Sequence, residues 1–111
     1  PVIVFGDHTT ILKFIDFEFI VGADGTKLIK PRLNDDIKYL YYFLDHNKLI
    51  PEGYKRHFSN LRQIKILLPN LEEQQKIADF LTAIDHKIKS EEAKLTAAKK
   101  FKKSLLQRMF V

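Results

Sequence analysis

The sequence predicts an α+β fold: a small, mostly antiparallel sheet with a helix, followed by one long coiled-coil-forming C-terminal helix. Three observations carry this. Residues 1–69 hold short runs of Val, Ile and Phe separated by turn residues, with a single helical stretch among them. From Asn70 to Val111 there is neither Pro nor Gly, and Ala, Leu, Glu, Lys, Gln and Ile dominate, most of them good helix formers. With 111 residues the chain holds one small domain and not a second independent core.

In chain order, "PVIVF", "ILKFIDF", "EFIVG" and "KLIKP" read as strands, separated by "GDHTT" and "ADGT". Asp24-Gly25 is a hairpin-type signal, because glycine tolerates the positive φ of such turns. "NDDIKYLYYFLDHNK" then reads as a helix: Asn34 or Asp35 can cap its start, and Ile37, Leu40, Tyr41 and Leu44 share a face. Pro51 and Gly53 end that segment. "IKILLP" reads as one more short strand, closed by Pro69.

Asn70 and Glu73 have the spacing of a capping pair at a helix start. Glu72 with Lys76, and Asp85 with Lys89, are acid-before-base pairs at i,i+4. A helix of about forty residues would be roughly 60 Å long at ~1.5 Å per residue. A domain of about seventy residues has a diameter on the order of 28 Å. The distal half of such a helix therefore calls for cover from another helix. Its stripe follows coiled-coil spacing: Ile77, Leu81, Ile84, Ile88, Leu95, Ala98, Leu105 and Met109, broken by Glu91 and Lys102. Phe80, Phe101, Leu106 and Phe110 widen the stripe. The two charges disfavour a long parallel homodimer and fit an antiparallel pairing, in which Glu91 lies near a basic residue of the partner. The expected division is residues 1–69 as one domain and 70–111 as the pairing helix.

The net charge of +5 permits nucleic acid without demanding it, since neither half carries a dense basic block. The absence of cysteine excludes disulfides and thiolate metal sites. There is no run of eighteen apolar residues and no basic-then-apolar leader, which predicts a cytoplasmic chain without a membrane span. The chain begins at Pro1, and the expectation is an excised or truncated piece of something longer.

Catalytic patterns are sparse. His8, His46, His57 and His86 have no metal-ligand spacing. Asp16 and Glu18 resemble a nuclease pair only loosely, with no lysine at the expected distance, and read better as a strand edge. Phosphate loops and nucleophile elbows are missing. The residues predict a non-enzyme with no metal and no cofactor.

Two stretches suit binding instead. "GDHTT" offers Asp7, His8, Thr9 and Thr10, which can hydrogen-bond base edges or phosphates, and it reads equally as an ordinary hairpin turn. "GYKRHFSNLR" interleaves Lys55, Arg56, His57 and Arg62 with Tyr54 and Phe58, a mix suited to phosphate contact and groove insertion. It reads also as a solvated loop with aromatic anchors.

"LPNLEEQQKIADFLTAIDHKI", followed by a Lys-rich helix ending "KKSLLQRMF", resembles the conserved segment of specificity subunits of Type I restriction-modification systems. In these, a "LPPLxEQxxIAxxLxxxD"-like run joins a target-recognition domain to a long helix. Leu68, Pro69, Leu71, Glu73, Gln74, Ile77, Ala78, Leu81 and Asp85 match, with Asn70 in place of the second proline. Upstream, "FGDHTT", "VGADGTKLIKP", "YLYYFL" and "YKRHFSNLRQIKILLP" resemble the C-terminal part of one class of target-recognition domain. The resemblance implies a non-catalytic subunit that reads part of a split site in double-stranded DNA. It further implies that the helix pairs antiparallel with a second such helix and docks modification (methyltransferase) subunits, which hold the methyl donor. A full subunit has two recognition domains and two helices, so this chain is expected to be a half-subunit that dimerises or a truncated piece. The reading from another class is a coiled-coil scaffold or adaptor whose small domain binds protein. Steep salt dependence of DNA affinity separates the two.

Overall fold

The structure, a computed structural model, describes residues 1–19, 25–47, 49–53 and 56–110. Strands β1 (Val2–Gly6), β2 (Leu12–Ile15) and β3 (Thr26–Ile29) precede helices α1 (Ile37–His46), α2 (Phe58–Arg62) and α3 (Leu71–Met109). This is the α+β architecture expected, with a small antiparallel sheet and a long C-terminal helix.

β1 lies at the centre of the sheet, in the order β2-β1-β3, and pairs antiparallel with both neighbours. It is the most apolar of the three: Val2, Ile3 and Phe5 are all buried. Covering it on both edges hides the greasiest backbone in the domain and leaves β2 and β3, with Lys13 and Lys27, at the rims. The arrangement corrects one reading. The connection through Gly25 is not a tight hairpin between neighbouring strands, because β2 and β3 flank β1 on opposite sides. Gly25 does have a positive φ of 80°, while Asp24 lies outside the described residues.

Helix α1 packs on β1 and β2. Its Leu40 and Leu44 close on Ile3 to form the core, with Leu12, Ile29, Ile37, Tyr41, Leu61 and Ile64 partly buried around them. Tyr41 sets its ring 6.1 Å from that of Phe14. The cap of α1 is Asp36 rather than Asn34 or Asp35, since the Asp36 side chain accepts from the Tyr39 N–H at 2.9 Å. α1 stops at His46 with Asn47 as C-cap, before Pro51 is reached; the Asn47 N–H and side-chain amide both donate to the Phe43 carbonyl.

One strand expectation fails, and another lies mostly outside the described residues. In "EFIVG", Glu18 and Phe19 are outside any strand, and residues 20–22 lie outside those described. "IKILLP" joins no ladder among the described residues. Its groups are engaged otherwise: Ile64 packs on the core, and the Leu67 carbonyl accepts from the Tyr39 hydroxyl at 2.6 Å. Pro69 has no N–H to offer a ladder.

The start of α3 is held by two side chains. Asn70 Oδ1 accepts from the Glu73 N–H at 2.8 Å, the N-cap bond expected from the spacing. Gln74 is almost fully buried and its amide is saturated. Gln74 Oε1 accepts from the Asp36 N–H at 2.8 Å, while Nε2 donates to Asp35 Oδ1 at 2.9 Å and to the Pro69 carbonyl at 2.8 Å. With Ala78 also buried, the first two turns of α3 belong to a compact unit, Pro1–Ala78. The second unit, Asp79–Val111, is the rest of the helix. No helix among the described residues is long and apolar enough to cross a membrane.

Candidate nucleic-acid interface

The two stretches singled out as binding surfaces meet in the fold, and Asp7 is where they join. Residues 7–11 connect β1 to β2, and the turn is closed by Gly6 N–H to the Ile11 carbonyl at 2.9 Å and Thr10 N–H to the Gly6 carbonyl at 2.8 Å. A β-carbon at Gly6 would strike the Thr9 hydroxyl, which would have to turn away. Thr10 adopts a left-handed conformation, φ 60°, and its hydroxyl donates to the Leu49 carbonyl at 3.0 Å.

From this loop the Asp7 carboxylate reaches across 50 residues of sequence to the start of α2. Its Oδ1 accepts from the His57 and Phe58 N–H groups, both at 2.7 Å. His57, the N-cap of α2, makes no capping bond with its own side chain, so the distant carboxylate supplies the negative group the helix start favours. The Asp7 carbonyl accepts from His57 Nδ1 at 2.8 Å, and His57 Nε2 accepts from the Glu52 N–H at 3.0 Å. With Nε2 accepting, the proton of the neutral ring is assigned to Nδ1 by the network. Arg56 Nη1 lies 3.4 Å from Asp7 Oδ2 and keeps most of its side chain exposed. Burial alone would raise the Asp7 carboxyl. The N–H groups of Phe58 and His57, and then the charges of Arg56 and Lys27, outweigh it and hold the group below its ordinary value.

The sequence-predicted residues thus divide by exposure. Asp7, Thr10 and His57 are buried, and their polar atoms are spent on holding one loop to the other. Thr9, Arg56 and Arg62 are exposed, and His8 is half-buried with its ring against Gly25. Lys55 lies outside the described residues. Sequence reasoning passed over Lys27 and offered Phe58 for groove insertion or as an aromatic anchor, not as a platform for cations. Lys27 Nζ stands 5.1 Å from the Phe58 ring centroid, and the Arg62 guanidinium carbon stands 5.9 Å from it. Nothing local marks Lys27, a single lysine in an apolar strand; only the sheet carries it to α2.

The proposed pairing stripe follows its spacing along α3. Ile77 and Leu81 are half-buried, and Ile84, Ile88, Leu95, Ala98, Leu105 and Met109 are exposed. Ile84 and Ile88, with Leu95 and the stems of Lys87, Glu91 and Glu92, line a shallow apolar depression on the second unit. Among the described residues, no three His, Asp or Glu side chains gather as a metal site.

The sequence model of the Type I restriction modification DNA specificity domain matches residues 2–100, and the chain belongs to that family. It is 32% identical over 105 residues to the Type I restriction enzyme EcoR124I/EcoR124II specificity subunit of Escherichia coli, a match covering 87% of this chain and 26% of that subunit. The chain therefore spans about a quarter of the length of this relative. No solved structure matches it.

Proposed function

We propose that the chain is the DNA-recognising part, or a half, of a Type I specificity subunit, reading a portion of a bipartite double-stranded target. The observation that carries this is the joint at Asp7, which brings the β1–β2 loop and the basic segment from Arg56 to Arg62 onto one surface. In this reading Thr9, Arg56 and Arg62, with His8 and Lys55, face the duplex, while Asp7, Thr10 and His57 hold them in register. Residues 1–69 act as the recognition domain and 70–111 as the pairing helix. The stripe from Ile77 to Met109 pairs antiparallel with a second such helix, from another copy or another part of the same subunit, and the helix docks modification subunits. Methylation and cleavage fall to those partners; this chain binds and positions in the cytoplasm. Its exposed cations support the reading, since phosphate contact supplies much of the affinity of such proteins and makes it salt-dependent.

The test is fluorescence anisotropy of a labelled random-sequence duplex titrated with the chain across salt. The expected result is an affinity that falls about a thousandfold between ~50 and ~200 mM salt if some six phosphates are neutralised. An affinity that ignores salt, or none at all, overturns the reading and favours a scaffold whose small domain binds protein.

A further inference from the structure

Lys27 and Arg62 come from opposite parts of the recognition unit, yet both settle over one ring. The backbone of Lys27 is fixed in the β3–β1 ladder, opposite Phe5. That of Phe58 is fixed by its N–H bond to the buried Asp7 carboxylate. Arg62 lies four residues beyond Phe58, on the same face of α2. With both charges within 6 Å of the ring centroid, they lie no more than about 11 Å from each other. Neither belongs to a salt bridge among the described residues. The negative face of the ring offsets part of their mutual repulsion, and an anion bound alongside would offset more. One DNA strand carries a charge per about 3.4 Å of axis, so this reach spans at most about three phosphate spacings. The ring itself is more than a third exposed, so its position is set by a hydrogen bond to its backbone more than by core packing.

We infer that Lys27, Phe58 and Arg62 form one phosphate-gripping cluster for double-stranded DNA, with Phe58 as the positioning residue that holds the two cations at the backbone of a single strand. This rests on the DNA-binding reading above and adds to it a division of labour. The cluster sets register on the duplex and carries no base preference of its own.

The test uses the whole chain, the random-sequence duplex and the same salt titration. Lys27→Met and Arg62→Gln are each expected to flatten the slope of log affinity against log salt by about 0.9. Phe58→Leu removes no charge, yet it is expected to lower affinity by about threefold to tenfold and to flatten the slope as well, because the cations lose their common platform. Phe58→Tyr, which keeps the π face, restores both. Thermal melts followed by tyrosine emission check that each variant is folded. A wild-type chain that binds duplex with a salt slope unmoved by Lys27→Met and Arg62→Gln overturns the cluster alone. Loss of slope in those two variants with none in Phe58→Leu overturns the role of the ring. A wild-type chain with no salt-dependent binding overturns the underlying reading.

Discussion

Gln74→Ala removes a buried amide whose oxygen and both N–H groups are all in use. Two of its three bonds, to the Asp36 N–H and the Pro69 carbonyl, join neutral groups and are worth about 1 kcal/mol each. The third, to the Asp35 carboxylate at 2.9 Å, is charge-assisted and worth about 1.5–3 kcal/mol. Freeing the side chain returns up to about 2 kcal/mol of rotamer entropy in the comparison with alanine. The net destabilisation is about 2–3 kcal/mol, which for a domain of this size lowers Tm by about 10–20 °C. Tyrosine emission is the right probe. All four tyrosines lie in the first 78 residues and there is no tryptophan, so the long helix beyond contributes no signal. Gln74→Glu sharpens the test. It preserves the acceptor for the Asp36 N–H but turns two donors into acceptors facing Asp35 Oδ1 and the Pro69 carbonyl, so at neutral pH it should destabilise at least as much as alanine. A Gln74→Ala chain melting within about 2 °C of wild type, or a Gln74→Glu chain as stable as wild type, would refute the claim that this amide ties the start of α3 to the start of α1.

Three further outcomes are expected. Asp7 has a folded value below its unfolded one, about 3.9, so the stability it confers is present above that pH and lost as pH falls through the folded value. The Tm gap between wild type and Asp7→Asn, in which an oxygen still accepts the two N–H groups, should be constant above about pH 5 and close below about pH 4. Leu44→Ala, in the core against Ile3 and Leu40, should cost about 3 kcal/mol by urea denaturation. Ile84→Asp or Leu95→Asp should shift the mass seen by light scattering from dimer to monomer if copies of this chain pair. A wild type that stays monomeric at high concentration would leave only a helix from elsewhere as partner.

The features legible in the sequence are those whose cause lies within a turn or two of chain. The stripe from Ile77 to Met109, the Asn70 cap and the face of Ile37, Leu40, Tyr41 and Leu44 are set by a 3.6-residue period and by side chains bonding their own backbone. The "EQ" run marked the family, but its reason was not visible: Gln74 matters through Asp35 and Asp36, 39 and 38 residues away. Strand order was equally hidden. The unbroken apolar run of β1 says that the strand is buried, and it says nothing about which strands lie on either side.

At the candidate interface the same physics separates two kinds of residue. Composition and charge pick out both loops, because an Asp, a His and several cations are visible one by one. Which of them point outward depends on the reach of one carboxylate across 50 residues, and burial by distant chain has no signature at the residue buried. Folding therefore turned Asp7, Thr10 and His57 inward as ties and added Lys27, which no local pattern marks, to the surface beside Phe58 and Arg62.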